Sequence, residues 1–245
     1  MCYDVAFKTN IKTIQDYFPG IKVENQLLLN FHDLDHIQAQ GNLSYGIVVK
    51  ENGIITLENM LWAGKVNRGG QRVWNARSET ILERNSLWYI IRKNRCLIPV
   101  TGVYEHREIA GWKKKVPYYI GELNREVFYI PGLYDDGNIV DTTTREIPRT
   151  FILLTRKANW AMSQIHNANP QDPRMPLFLT PELELKWLSE NLTDEEIKEI
   201  TNYEIKSEDL KYHPVDTIRS RKPRADGKSK DAPLEWKGLP AIAKL

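Results

Sequence analysis

Cys96-Leu97-Ile98-Pro99-Val100-Thr101-Gly102-Val103-Tyr104 is the stretch on which the fold turns. Its β-branched and aromatic content marks a strand. Working outward, Ser44 to Val49 lies upstream, and Pro117 to Ile120, Val127 to Tyr134 and Thr150 to Leu154 lie downstream, with Gly, Asn or Asp between the runs. Such short runs predict antiparallel or mixed sheets. Helical signals are fewer. Glu79 to Arg92 reads as a helix; Thr180 with Pro181 reads as an N-cap followed by proline at the first helical position, opening a helix to about Leu188. Thr193 and Glu196 form a capping box before another short helix. No repeat or long linker separates these elements, so the expectation is one β-rich α+β domain with flanking helices over residues 1–218. The remainder, 219–245, carries eight Lys or Arg against three acidic residues and is expected to be an irregular basic tail.

At 245 residues with 41% hydrophobic content, the chain can bury a sizeable core. The net charge is only +2, so any nucleic-acid partner has to be held by a local patch and not by the overall field. Two cysteines, Cys2 and Cys96, cannot build a disulfide framework, and the opening MCYDVAFKTN lacks the charge and apolar run of a signal peptide. A cytoplasmic setting is therefore expected. No apolar stretch approaches the roughly 18 residues of a membrane helix. Two distant cysteines and five scattered histidines offer no metal-ligand spacing, and neither metal nor other cofactor is expected.

Cysteine directly after the initiator methionine carries the sharpest chemical signal. Methionine aminopeptidases remove Met1 before a small residue, which leaves a 1,2-aminothiol on Cys2. Its amine has a reference pKa of about 7.7 to 8.0 and its thiol about 8.5, so each is expected to supply some nucleophile at neutral pH. The amine condenses with an aldehyde, and the thiol then closes a five-membered thiazolidine ring. Read without context, the same residue is a chance cysteine in a frayed terminus.

Several blocks supply that context: Met1-Cys2; Asn75-Ala76-Arg77-Ser78-Glu79-Thr80; Arg95-Cys96-Leu97-Ile98-Pro99 followed by Gly102-Val103-Tyr104-Glu105; Pro117-Tyr118-Tyr119; Gly132-Leu133-Tyr134; Thr155 with Ala158-Asn159; and Ile165-His166 before Arg174-Met175-Pro176. In order and rough spacing the chain resembles the SOS-response-associated peptidase (SRAP) family of abasic-site processing proteins from residue 1 to about Leu188. The resemblance implies a nucleophile at Cys2, an orienting amide at Asn75, a proton-transferring carboxyl at Glu105 and, at His166, a second proton carrier expected to titrate near neutral pH. Arg77 and Arg174 are then expected on phosphates, with Trp62 and Trp74 as base-stacking candidates. Cys96 reads as core.

The implied activity is capture of the aldehyde of an abasic site in single-stranded DNA as a covalent thiazolidine cross-link. The expected protein is a monomer, associated with the nucleoid when on DNA. A thiol peptidase and a non-covalent single-strand binder are the alternatives. The chain departs from the family pattern at Tyr3 and Asp4, where glycine and arginine are usual, and at His106 in place of tryptophan. Asn167 to Pro173 is an insertion, and the usual W-G-L-I-P segment is reduced to Trp62-Ala63-Gly64.

Overall fold

The computed structural model describes residues 2–30, 34–41, 43–67, 69–137, 147–220 and 222–243. In chain order the first strands are β1 (Asp4–Phe7), β2 (Lys22–Val23), β3 (Leu34–Gln38), β4 (Ser44–Glu51), β5 (Ile54–Trp62), β6 (Lys65–Val66), β7 (Arg72–Val73) and β8 (Asn75–Arg77). They are followed by β9 (Arg95–Val100), β10 (Gly102–Arg107), β11 (Val116–Glu122), β12 (Phe128–Asp135), β13 (Thr150–Lys157), β14 (Arg174–Pro176) and β15 (Leu210–Pro214). The α-helices are α1 (Ile11–Tyr17), α2 (Asn25–Asn30), α3 (Trp160–Ile165), α4 (Pro181–Trp187) and α5 (Asp194–Thr201).

Two sheets carry the architecture. The smaller runs β15-β11-β10-β1-β3; the larger runs β14-β13-β12-β9-β4-β5-β2, with β8 added in parallel on β13. Most neighbours are antiparallel, so the expected mixed sheets and flanking helices are found. The stretch Cys96 to Tyr104 divides at Thr101. Its first half pairs with β12 and β4 in the large sheet, and its second half pairs with β1 and β11 in the small one. Gly102 permits this corner: a Cβ there would lie 2.3 Å from ring carbons of Tyr119. Thr101 fixes it, donating its N–H to Ala6 at 2.9 Å and accepting from the Tyr119 hydroxyl at 2.5 Å. One strand thus spans both sheets and carries Glu105 toward the first residues of the chain.

The helix signals were unequal in value. α4 begins at N-cap Thr180 with Pro181 in its first turn, and α5 has the Thr193–Glu196 capping box. The helix expected over Glu79 to Arg92 is absent. That segment holds only short 3₁₀ turns at Ser78–Thr80 and Tyr89–Ile91. Side chains supply the reason. The Ser86 hydroxyl accepts from the Trp88 N–H at 3.3 Å, competing with helical bonding, while the Glu79 carboxylate accepts from the Lys157 N–H at 3.0 Å. Cys96 is buried in the core as expected.

The C-terminal segment is irregular but fastened to the domain. Leu234 N–H donates to Pro214 and the Trp236 indole to Val215, each at 2.9 Å. The Arg107 guanidinium donates to the carbonyls of Pro240 at 2.6 Å and Ala241 at 3.2 Å. These bonds lay the tail along the β15 edge of the small sheet, beside the site described next.

Candidate active site

β1 is an interior strand, paired on one side with β10 (Asp4 opposite Tyr104) and on the other with β3 (Asp4 opposite Gln38). Cys2, two residues before it, cannot fray. It is fully buried, and its thiol donates to the Asp4 carbonyl with Sγ 3.6 Å away. Asn75, brought from the opposite sheet by the parallel pairing of β8 with β13, donates its amide N–H to the Cys2 carbonyl at 2.7 Å. Its Oδ1 is buried without a partner.

Glu105 sits on β10, buried, close enough for its charge to act on the Cys2 thiol. Burial, with the nearby Asp4 charge adding, pushes its carboxyl up to about 7. Its Oε1 is likewise buried and unbonded, and its Oε2 lies 3.8 Å from His166 Nε2. His166 closes α3, whose N-cap Asn159 accepts from Met162 N–H at 3.0 Å and is itself tied to the Ile205 carbonyl at 2.9 Å. Arg174 N–H donates to His166 Nδ1 at 3.1 Å, so the neutral ring carries its proton on Nε2, facing Glu105.

These four residues come from four separate segments to one place. Two electrostatic expectations for them change. Burial, with Glu105 adding, pushes the Cys2 thiol well up, so it rests protonated and supplies almost no thiolate at neutral pH. Burial also pushes His166 down to about 4. It is therefore a neutral donor at physiological pH and not a group that titrates there.

The four residues expected to bind DNA fare differently. Trp62 is fully buried, stacked on Phe151 at 5.8 Å between centroids, with its indole donating to the Trp74 carbonyl at 3.2 Å. It is core and cannot stack on a base. Trp74 is partly exposed and meets Tyr3 edge-on at 6.0 Å. Arg174 is buried, bonded bidentately to Glu79 at 2.7 and 2.8 Å and to the Thr155 carbonyl at 2.9 Å. Its guanidinium is buried against β13 and Glu79 and is not exposed to a phosphate. Arg77 is half exposed, but Asp172 of the insertion takes its guanidinium at 2.7 Å. The other end of the insertion is pinned as well. Asn167 exchanges bonds of 2.7 and 2.9 Å with the Glu108 backbone.

Beside the site the structure reveals a cluster the sequence only half signals. Asp4 is buried; His36 from β3 meets its Oδ1 at 2.7 Å, and Arg219 grips both oxygens at 3.2 and 2.6 Å. Burial alone would raise this carboxyl, but His36 and Arg219 hold it below its ordinary value. Asp4 in place of the usual arginine and the basic residue at 219 were both visible; their meeting was not. His36 gave no signal at all. Tyr3, Asp4, Glu105, His166, Lys115 and Arg219 are among the residues lining a cavity of about 540 Å³. Cys2 lies behind that lining, one residue before Tyr3.

Among the described residues, no group of three or more His, Cys, Asp or Glu is placed to hold a metal ion. No helix among them is long and apolar enough to cross a membrane.

Comparison with known proteins bears on this geometry. The model of a family described as SOS response associated peptidase (SRAP) matches residues 3–219. The chain is 30% identical over 157 residues to the abasic site processing protein YoqW of Bacillus subtilis, covering 64% of this chain and 65% of that protein. It is 28% identical over 149 residues to YobE of the same organism, also an abasic site processing protein, covering 61% and 64%. The matched region thus spans just under two thirds of the length of these relatives. A crystal structure of a protein from Bacteroides thetaiotaomicron superposes with a TM-score of 0.74 at 25% identity, over 95% of this chain and 97% of that one. A phage-related protein from Bordetella bronchiseptica has the same fold, with a TM-score of 0.67 at 22% identity over 88% and 95% of the two chains.

Proposed function

The chain belongs to the SOS response associated peptidase (SRAP) family, and from that premise we propose that it processes abasic sites in single-stranded DNA by covalent capture on Cys2. The single observation that carries this reading is the convergence of Cys2, Asn75, Glu105 and His166 from four segments, with two buried oxygens, Asn75 Oδ1 and Glu105 Oε1, left without partners. Buried polar groups left unpaired beside a thiol mark a candidate reaction site.

With Met1 removed, the backbone nitrogen of Cys2 is an amine. Asn75 holds the residue through its carbonyl, and its free Oδ1 is an acceptor for an amine N–H. The neutral amine adds to the C1 aldehyde of the ring-opened deoxyribose, and loss of water gives an imine. The sulfur then adds to the imine carbon. Its proton passes to the Glu105 carboxylate, the nitrogen takes up a proton, and the ring closes with one water released overall. A thiol that rests protonated requires such a base, and a carboxyl that titrates at about 7 supplies it at neutral pH. His166, neutral with its Nε2–H toward Glu105, can steady the carboxylate and return a proton.

The test is a denaturing gel after incubation with a single strand bearing one abasic site. A shifted, heat-stable band is expected for the mature protein. None is expected for Cys2→Ala or for protein that retains Met1, because each lacks half of the aminothiol. A band that survives Cys2→Ala refutes the mechanism. Strand binding without any band in the mature protein would leave only the non-covalent reading.

A further inference from the structure

The two arginines beside the chemistry are already neutralised: Arg77 by Asp172, and Arg174 by Glu79. On that side of the cavity two cations face two carboxylates. The opposite side is unbalanced. The turn from β10 to β11 carries Lys113, Lys114 and Lys115 in succession, all exposed, and Arg219 stands next to it across the cavity lining. Against these four cations are Asp4, which binds Arg219, and Glu108, which meets Lys115 at 2.7 Å. Among the described residues Lys113 and Lys114 form no ion pair. Lys113 and Lys114 are therefore two cations without a carboxylate partner among the described residues, both on exposed side chains free to reach a ligand.

Aromatic surface lies in the same place. Trp236 of the C-terminal segment lines the cavity and is only partly buried, and Trp112 stands 6.3 Å from it, centroid to centroid, immediately before the lysines. A basic run beside partly open indole rings fits unpaired nucleic acid, in which phosphates meet cations while bases stack on rings. On the other side Trp62 is sealed in the core.

We infer that the DNA strand crosses the β10–β11 turn and the C-terminal segment, with its phosphates on Lys113 and Lys114 and a base against Trp236, instead of lying on Arg77 and Arg174. This rests on the reading that single-stranded DNA is the substrate. The 167–173 insertion then has a physical role. By bringing Asp172 to Arg77 and bonding to Glu108, it closes one bank of the cleft to phosphate.

Binding of a fluorescein-labelled undamaged oligothymidine, followed by anisotropy across a KCl series, tests the path of the strand. The doubly substituted Lys113→Gln/Lys114→Gln protein should lose about 1.4 from the slope of log affinity against log salt, two contacts at about 0.7 each on a single strand. Arg77→Gln should leave the slope unchanged. Trp236→Leu should weaken binding by about 5-fold or more at an unchanged slope, the scale of one stacked base. Because Trp236 also anchors the tail, the exposed lysines decide the matter if that variant unfolds. A lower slope in Arg77→Gln with none in the lysine variant overturns the inference, and so does an undamaged strand that fails to bind the unaltered protein. Covalent capture is read separately on abasic DNA. Absent cross-links with the expected salt slopes would sink the capture mechanism and leave this surface standing.

Discussion

Replacing Glu105 by glutamine should make the protein more stable and less active, and both effects should depend on pH in a defined way. The Glu105 carboxyl is buried and pushed from 4.5 up to about 7. A shift of about 2.5 units corresponds to roughly 3 kcal/mol between the protonated and ionised forms at about 1.36 kcal/mol per unit. The folded state binds this proton more tightly than the unfolded chain, so the favourable protonated form is fully present below about pH 4.5. Its benefit is lost as pH rises toward 7, and above that the folded protein carries the full cost of a buried carboxylate. The glutamine amide of the variant never ionises. Denaturant unfolding should therefore show Glu105→Gln to be near parity with the parent at pH 4.5 and more stable by up to about 3 kcal/mol at pH 8.

Activity should move the other way. If the carboxylate takes the thiol proton, cross-linking in the parent rises between pH 6 and 8 with a midpoint near 7, and the variant is slower by about 10²-fold. The amine titrates too, with a reference value of about 7.7 to 8.0, so the variant should keep one later midpoint and lose the earlier one. A variant that keeps the midpoint near 7 would show that Glu105 is not the base, and one that gains no stability at pH 8 would show that it is not a strained carboxylate.

Other residues give separable outcomes. His166→Ala should slow cross-linking but leave the midpoint near 7 in place, because His166 itself is pushed down to about 4; a displaced midpoint in its pH–rate profile would make it the titrating group. Glu79→Gln strips the charge partner from buried Arg174 and should cost about 2 kcal/mol in denaturant unfolding, less than the ~3–5 of a fully buried pair because Glu79 is half exposed. A change within about 0.5 kcal/mol would mean the pair is not structural. Gly102→Ala drives a methyl to 2.3 Å from the Tyr119 ring and should lower stability by about 1–3 kcal/mol, with an unaltered melting temperature counting against the corner described above.

What the sequence revealed and what it hid follow physical lines. Strands with dense β-branched and aromatic content, such as those around Cys96 and Val127, were legible because they are buried on both faces. Caps at Thr180 and Thr193 were legible because they are local, two residues satisfying each other's backbone. β1 and β5 were missed; β1 is four residues long, and its place in the sheet comes from non-local pairing with β10 and β3. The false helix at 79–92 had acceptable propensity, but side chains there bond to other partners. Among the site residues, the motif positions marked which groups converge, yet a motif holds no information about burial. The depressed His166 and the protonated Cys2 thiol are both consequences of desolvation by strands distant in sequence.

On the proposed capture mechanism, burial of Cys2 also bears on how the aminothiol survives until needed. An exposed aminothiol with an ordinary thiol would present thiolate to oxidants, a reaction that follows thiolate character and access. Here the thiol is enclosed, raised by burial and raised again by the Glu105 charge, so its resting form is the unreactive one. The same carboxylate that discourages ionisation at rest is the group able to accept the proton when an imine carbon stands next to the sulfur. The proposed mechanism thereby ties reactivity to the arrival of the substrate. Asp4 contributes by position: its charge adds to the upward pressure on Glu105, while His36 and Arg219 keep Asp4 itself ionised. Arg219 thus does more than face the cleft, because without it the buried Asp4 would compete with Glu105 for a proton.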